Sequence, residues 1–360
     1  MQKAICIFTQ SLLPGGAEKQ AVILAETLQQ KYKPIVITFY NSGKRTVLEK
    51  RLIDRNITIK RLVGAYPYKL YSLGRFFFQE RPRIIFSFLL LPNIIAGIIG
   101  KITGVNYIIG GIRNAFLNQS KERLYRFTHN YLNDLTIYNN YRGYIHYSKR
   151  GFKKEKSVVI TNCITNISKT HIRKNNKKIR ILSVGRFVQQ KDWISALEAI
   201  KDLKLIFKQI KYYIVGYGPH DYIIRKWITD NKSGDYMELF EEPDDIKQFY
   251  VKADVFLQTS LFEGVSNVVL EAMNNCLPLV TTDVGDNNKL VIDGYNGFLC
   301  KPKDVKRITS SIYELCISYN KRINYGLNSH SLLEQNHSHK IFKKAYLNLI
   351  DNLYEESRQP

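Results

Sequence analysis

The stretch that most constrains this chain lies at 253–273. Residues 253–258 are an apolar run of strand length. Phe262-Glu263-Gly264-Val265-Ser266-Asn267 then reads as a tight glycine turn. After it, Val268, Val269, Ala272 and Met273 share one face of a helix. Ser266 or Asn267 suits the N-cap. Backbone amides and the positive end of the helix dipole meet at such a turn, which makes it an anion site. Two carboxylates frame it. Glu263 lies in the turn, and Glu271 lies four residues past Asn267, on the same side of the helix. A carboxylate is a poor phosphate ligand but a good acceptor for sugar and ribose hydroxyls. This combination suits a nucleoside-diphosphate sugar. The competing reading is a capped surface helix with a solvated glutamate.

The rest of the chain repeats the alternation. A strand at 4–9 leads into the loop Pro14-Gly15-Gly16-Ala17-Glu18, a helix over 18–31 and a strand at 34–39. The spacing is not Gly-x-Gly-x-x-Gly, so it is no dinucleotide fingerprint. Adjacent glycines let a backbone N–H approach a phosphate, or simply serve a turn. Further strands are expected at 57–61, 84–90, 107–109, 135–138 and 158–161, with a helix opened by Pro92 after the second. Residues 165–178, polar and basic towards their end, read as a linker. The pattern then restarts with strands at 179–184, 212–215, 253–258 and 279–282 and a short one within 294–300. Helices are expected from Trp193, at 249–252 and, amphipathically, over 340–354. The fold class is α/β, with two Rossmann-like doubly wound parallel-sheet domains, at 1–165 and 166–339.

Composition removes several alternatives. A chain of 360 residues with 44% apolar content is long enough for two globular domains. Its five cysteines are scattered with no Cys-x2-Cys pair, which indicates neither a disulfide frame nor a zinc site and fits a reducing cytosol. Met1 leads straight into a strand, so no signal peptide is read. The apolar run at 84–100 is interrupted by Ser87, Pro92 and Asn93 and does not read as a membrane span. The formal charge of +23 is uneven: residues 1–165 hold 26 Lys+Arg against 8 Asp+Glu, leaving 28 against 23 in the remainder. Such a field attracts nucleic acid or an anionic membrane surface. No nucleic-acid recognition motif is present, so a nucleic-acid partner is not expected. Residues 61–83 mix cations with Tyr66, Tyr68, Tyr71, Phe76, Phe77 and Phe78, which suits a lipid headgroup layer or, alternatively, a core beside a solvated basic face.

Arg186 and Lys191 follow a strand at the sheet end shared with the Glu263 turn. Two fixed cations there can hold a diphosphate, Arg186 through a planar fork and Lys191 as a point charge. With these residues in hand the chain resembles a family 4 glycosyltransferase of the GT-B fold, of the bacterial surface-polysaccharide type. The matching motifs are Gly15-Gly16-Ala17-Glu18, Gly185-Arg186 with Lys191, Gly216-Tyr217-Gly218-Pro219, Glu263 and Glu271 in a Glu-x7-Glu pattern, and Asp283-Val284-Gly285.

The resemblance implies two domains facing across a cleft, with 340–360 crossing back to the first. It implies a retaining, metal-independent transfer from a nucleotide-diphosphate sugar, a UDP-sugar by expectation, bound as substrate rather than cofactor. Glu271 then holds the ribose hydroxyls and Glu263 faces the donor sugar. Arg186 and Lys191 clamp the diphosphate and offset the charge growing on it. Gly15 and Gly16 approach the diphosphate from the first domain, Gly264, Val265, Ser266 and Asn267 offer donor contacts, and Arg113 lines the acceptor side. Many relatives carry a histidine after the strand at 84–90, where this chain has Leu89-Leu90-Leu91-Pro92-Asn93. That fits a front-face path in which the leaving phosphate oxygen takes the acceptor proton. His129 is expected in a core or surface role. The basic first half suggests a lipid-linked saccharide acceptor and a cytoplasmic enzyme held at the inner face of the plasma membrane. Abundant Lys, Asn, Ile and Tyr fit an AT-rich bacterial gene. An epimerase acting on a nucleotide sugar is the alternative on the same fold.

Overall fold

The structure is a computed structural model that describes residues 3–41, 43, 45–243 and 245–356. Expectations that rest on Met1 or on 357–360 lie outside these residues. The chain divides into two compact units. The first runs as far as Asn162 and resumes at His339, and the second is Cys163–Ser338.

In the first unit β1 (Ala4–Thr9), β2 (Lys33–Thr38), β3 (Thr58–Arg61), β4 (Ile84–Ser87), β5 (Tyr107–Ile112), β6 (Leu135–Tyr138) and β7 (Ser157–Val159) form a parallel sheet. Their order is β3-β2-β1-β4-β5-β6-β7. The strands are nearly unbroken apolar runs, such as Ile5, Cys6, Ile7 and Phe8, because both faces of the sheet are covered. The helices are α1 (Gly16–Leu28), α2 (Val47–Ile53), α3 (Tyr66–Glu80), α4 (Leu90–Ile102), α5 (Gln119–Phe127) and α6 (Tyr141–Ser148). Leu73 and Phe77 of α3, with Ile95 and Ala96 of α4, pack against Cys6, Phe8, Ile37 and Ile85 on one face. Thr46, Asn118 and Asn140 cap α2, α5 and α6, each accepting the amide three residues on.

Several boundaries depart from the sequence reading. Strand β4 ends at Ser87 rather than 90, and α4 opens at Leu90 rather than Pro92. The chain turns at Leu89, whose φ of 75° and ψ of 168° are unusual for a residue with a Cβ. Pro92 then sits in the first helical turn, where its missing N–H breaks no bond. Helix α1 opens at Gly16, so Ala17 and Glu18 belong to its first turn and not to a loop.

In the second unit β8 (Ile179–Arg186), β9 (Ile210–Tyr217), β10 (Met237–Glu241), β11 (Val255–Gln258), β12 (Leu279–Thr282) and β13 (Gly297–Cys300) form another parallel sheet. Its order is β10-β9-β8-β11-β12-β13. The helices are α7 (Trp193–Ile206), α8 (Asp221–Asp230), α9 (Lys247–Lys252), α10 (Asn267–Asn274), α11 (Asn287–Leu290), α12 (Val305–Ile317) and α13 (Tyr319–His337). The order reverses between β8 and β11. The chain runs outward from β8 through β9 to β10, then returns to the other side of β8 for β11. The connections leave the carboxyl ends of β8 and β11 in opposite directions, which opens a crevice there.

The stretch read as a linker is bound to the second unit. The Ser168 amide donates to Asn274 Oδ1 at 2.9 Å, and His330 Nε2 lies 2.7 Å from the Ser168 carbonyl. The Arg173 guanidinium donates to the main-chain carbonyls of Tyr250, Ala253, Asn275 and Cys276. These carbonyls lie at the ends of α9 and α10, where helices leave acceptors unsatisfied. The polar residues of this stretch act as anchors to the second unit. Arg173→Ala is expected to lower unfolding free energy by about 3 kcal/mol in chemical denaturation, because several part-buried acceptors lose their donor together.

The terminal helix α14 (His339–Glu356) belongs to the first unit. Tyr346 meets Phe86 edge-on at 5.6 Å, and Lys31 pairs with Asp351 at 2.8 Å. All five cysteines are buried and unpaired.

Candidate active site

The reversal between β8 and β11 gathers most of the residues singled out in the second unit. Strand β8 delivers Gly185 and Arg186 to its carboxyl end. The chain then makes a single 3₁₀ turn at Gln189–Lys191 and enters α7 through Asp192, whose φ is +46°. The turn folds the Lys191 side chain back over Gly185, within 3.3 Å of where a Cβ on Gly185 would stand. From this position Lys191 Nζ reaches Glu263 Oε1 at 2.5 Å. Ser260 Oγ donates to the same oxygen at 2.8 Å.

Glu263 and Lys191 are both largely withdrawn from water, with side chains 10% and 14% exposed. A pair this sheltered is held in place by what surrounds it. The Leu261 amide donates to the Gln190 carbonyl at 2.8 Å, and Gln190 Nε2 donates to the Phe262 carbonyl at 2.7 Å. Thr259 Oγ1 donates to the Asp192 carbonyl at 2.9 Å. The turn after β8 and the loop after β11 are thus laced together along their length.

The loop after β12 supports the same turn from the other side. The Asp286 amide donates to the Gly264 carbonyl at 2.9 Å. Gly285 has a φ of +54°, and a Cβ there would collide with the carbonyl oxygens of Gly264 and Glu263. Only glycine fits this position. Ser266 occupies the N-cap of α10, but its hydroxyl does not cap the helix. It accepts from Gln258 Nε2 at 2.8 Å, and Gln258 Oε1 accepts from Asn287 at 3.1 Å. The side chain expected to serve the helix end instead ties the glycine turn to β11 and α11. Val265 and Ser266 are buried, and Asn267 begins the helix.

Glu271 stands one turn into α10 and is partly exposed. Tyr250, buried on α9, donates its hydroxyl to Glu271 Oε2 at 2.9 Å. Burial and the neighbouring carboxylate push the Tyr250 phenol well above its usual range, so it stays a neutral donor. Arg186 is exposed at the same sheet end. Its carbonyl accepts from Trp193 Nε1 at 3.0 Å, and its guanidinium forms no ion pair among the described residues. Lys191 and Glu263 therefore meet directly, whereas no contact joins the Arg186 side chain to either glutamate. Tyr250 and Ser260 escaped the sequence reading. Ser260 stands three residues before Glu263 and could have been suspected. Tyr250 is 21 positions before Glu271 and carries no local signal.

Gly15, Gly16 and Arg113 belong to the first unit. Gly15 is the N-cap of α1, and a Cβ on it would collide with the Glu18 carboxylate. The Arg113 guanidinium lies over the Phe88 ring at 4.2 Å, beside Leu89. Its Nε is buried without a hydrogen-bond partner among the described residues. His129 is fully buried in a π-helical turn, Thr128–Leu132, with Nε2 2.9 Å from the Lys153 carbonyl. Burial lowers its pKa to about 4, which makes it a neutral core residue.

Comparison with known proteins bears on the same region. Residues 165–331 match the family model "Glycosyl transferases group 1". The amylovoran biosynthesis glycosyltransferase AmsK of Erwinia amylovora is 29% identical over 148 residues, 39% of this chain and 36% of that protein. The lipopolysaccharide core biosynthesis glycosyltransferase LpsE of Rhizobium meliloti is 25% identical over 170 residues, 47% of this chain and 49% of that protein. The chain spans less than half the length of these curated relatives. Among solved structures, Anabaena Alr3699/HepE in complex with UDP-glucose superposes with a TM-score of 0.85 at 19% identity. It covers 97% of this chain and 99% of its own. TarM superposes at 0.84 and 12% identity, over 97% and 99%. The fold is therefore GT-B, and residues 165–331 are similar to the glycosyl transferases group 1 family.

Proposed function

We propose that this protein is a retaining, metal-independent glycosyltransferase. It takes a sugar from a nucleotide-diphosphate donor, UDP-sugar by preference, and passes it to a lipid-linked saccharide in bacterial surface-polysaccharide assembly. The observation that carries the reading is the sheltered Lys191–Glu263 pair at the reversal between β8 and β11, with Tyr250 holding Glu271 beside the same turn. Support for the pathway comes from the names of AmsK and LpsE, and for uridine from the UDP-glucose bound to HepE.

Glu271, held by the Tyr250 hydroxyl, accepts from the ribose hydroxyls. Glu263 faces the sugar. Arg186 supplies a free guanidinium for the diphosphate, and Lys191 shares its ammonium between Glu263 and the leaving oxygens. In the transfer, the bond between the anomeric carbon and the phosphate oxygen breaks, and the acceptor oxygen bonds to that carbon on the same face. The acceptor proton passes to the departing phosphate. The cations stabilise the charge where it grows, which is the part of the barrier a fixed electrostatic site lowers best. In this reading Gly15 and Gly16 approach the donor diphosphate, Arg113 lines the acceptor side, and the enzyme works at the inner face of the plasma membrane. No helix among the described residues is long and apolar enough to cross a membrane.

Incubation with a panel of nucleotide sugars and a polyprenyl-diphosphate saccharide tests the reading. UDP release that requires the acceptor, with an α-linked product from an α-linked donor, is expected. Epimerised donor formed without any acceptor would turn the assignment to an epimerase, and no reaction with any donor would sink both.

A further inference from the structure

Helices α3, α4 and α5 lie side by side in the first unit, with α4 touching both neighbours. Each turns large apolar side chains away from the core. On α3, Tyr68, Tyr71 and Phe78 are more than half exposed and share a ridge with Arg75. On α4, Ile98 and Ile102 flank Lys101, and Ile102 is 76% exposed. On and just past α5 stand Leu124, Phe127 and Tyr131, beside Lys121 and Arg123. One exposed apolar residue needs no explanation, but matching rows on three adjacent helices do.

Charge identifies what covers them. Across 62–150 the only acids are Glu80, Glu122 and Asp134. Glu80 pairs with Lys33 at 3.1 Å, Glu122 pairs with Arg150 at 2.7 Å, and Asp134 accepts the Ile108 amide at 2.7 Å. Arg75, Lys101, Lys121 and Arg123 form no ion pair among the described residues. We propose that this face docks on an anionic lipid bilayer. Its tyrosines and phenylalanines enter the headgroup boundary, and its four cations meet lipid phosphates. A second copy is a poor occupant, because a two-fold contact would set these cations against their own images. The docking surface deepens the proposed function, since it gives a soluble unit access to a lipid-linked acceptor, but its physical basis is independent of the donor.

Co-sedimentation of the full chain with vesicles tests it. Pelleting is expected with phosphatidylcholine vesicles that contain phosphatidylglycerol and not with phosphatidylcholine alone, and high salt should release the protein. Changing Arg75, Lys101, Lys121 and Arg123 together to Glu should lower partitioning by more than roughly tenfold. Tyr71→Ser, Phe78→Ser and Phe127→Ser combined should weaken it even at low salt. UDP binding should persist in both variants, which shows that they are folded. Pelleting without any UDP binding would keep the docking face and remove the donor reading. No pelleting of the parent protein, equal pelleting of parent and variants, or a lipid-free dimer lost in the variants would overturn the proposal.

Discussion

Lys191→Ala is expected to cut turnover by about two to three orders of magnitude and to cost about 3–5 kcal/mol of stability. Both effects come from one contact. The Nζ–Oε1 separation is 2.5 Å, and neither side chain is more than 14% exposed. Removing the ammonium leaves Glu263 sheltered from water, with Ser260 as its remaining side-chain donor. The two effects can be separated. Lys191→Met with Glu263→Leu removes both charges and should recover most of the stability, because an apolar pair of similar volume replaces a desolvated ion pair. It should recover no activity. Chemical denaturation reads the first quantity, and acceptor-dependent UDP release reads the second. A double variant that stayed as unstable as Lys191→Ala would mean that the cost lies in packing rather than charge.

Glu271→Ala should weaken UDP binding by roughly a hundredfold, as expected for charge-assisted bonds to the ribose hydroxyls. Tyr250→Phe should weaken it by roughly tenfold. The hydroxyl meets the carboxylate at 2.9 Å and lies 3.5 Å from the Val268 carbonyl on the same helix, so it acts by holding Glu271 in position. Its loss should raise KM and leave kcat nearly unchanged. Glu263→Gln should do the reverse, lowering kcat with little change in the affinity for UDP. Equal and small effects at Glu263 and Glu271 would contradict the division of labour between them.

The two sheets were legible because parallel strands covered on both faces read as apolar runs broken by glycine turns. The turn at 262–267 was legible for the same reason, and so was the spacing that sets Glu263 and Glu271 about it. Contacts made by residues far apart in sequence were not legible. Tyr250 reaches Glu271 from another helix, and Arg173 spans roughly 80 to 100 positions to close two helix ends. Ser266 shows the limit of local rules, since a good capping residue was recruited by Gln258 instead. Strand β10 was missed because an edge strand that alternates Met237, Glu238, Leu239 and Phe240 has no long apolar run. Leu89 could not be foreseen either, because the unusual backbone there is imposed by the entry into α4.

The most direct test is calorimetric titration of UDP into the parent protein and into Glu271→Ala, with GDP and ADP as competing ligands. The account predicts one saturable UDP site per chain that weakens by more than roughly tenfold in the variant. If no nucleoside diphosphate bound, or if UDP bound both proteins equally, the crevice at the ends of β8 and β11 would not be the donor site.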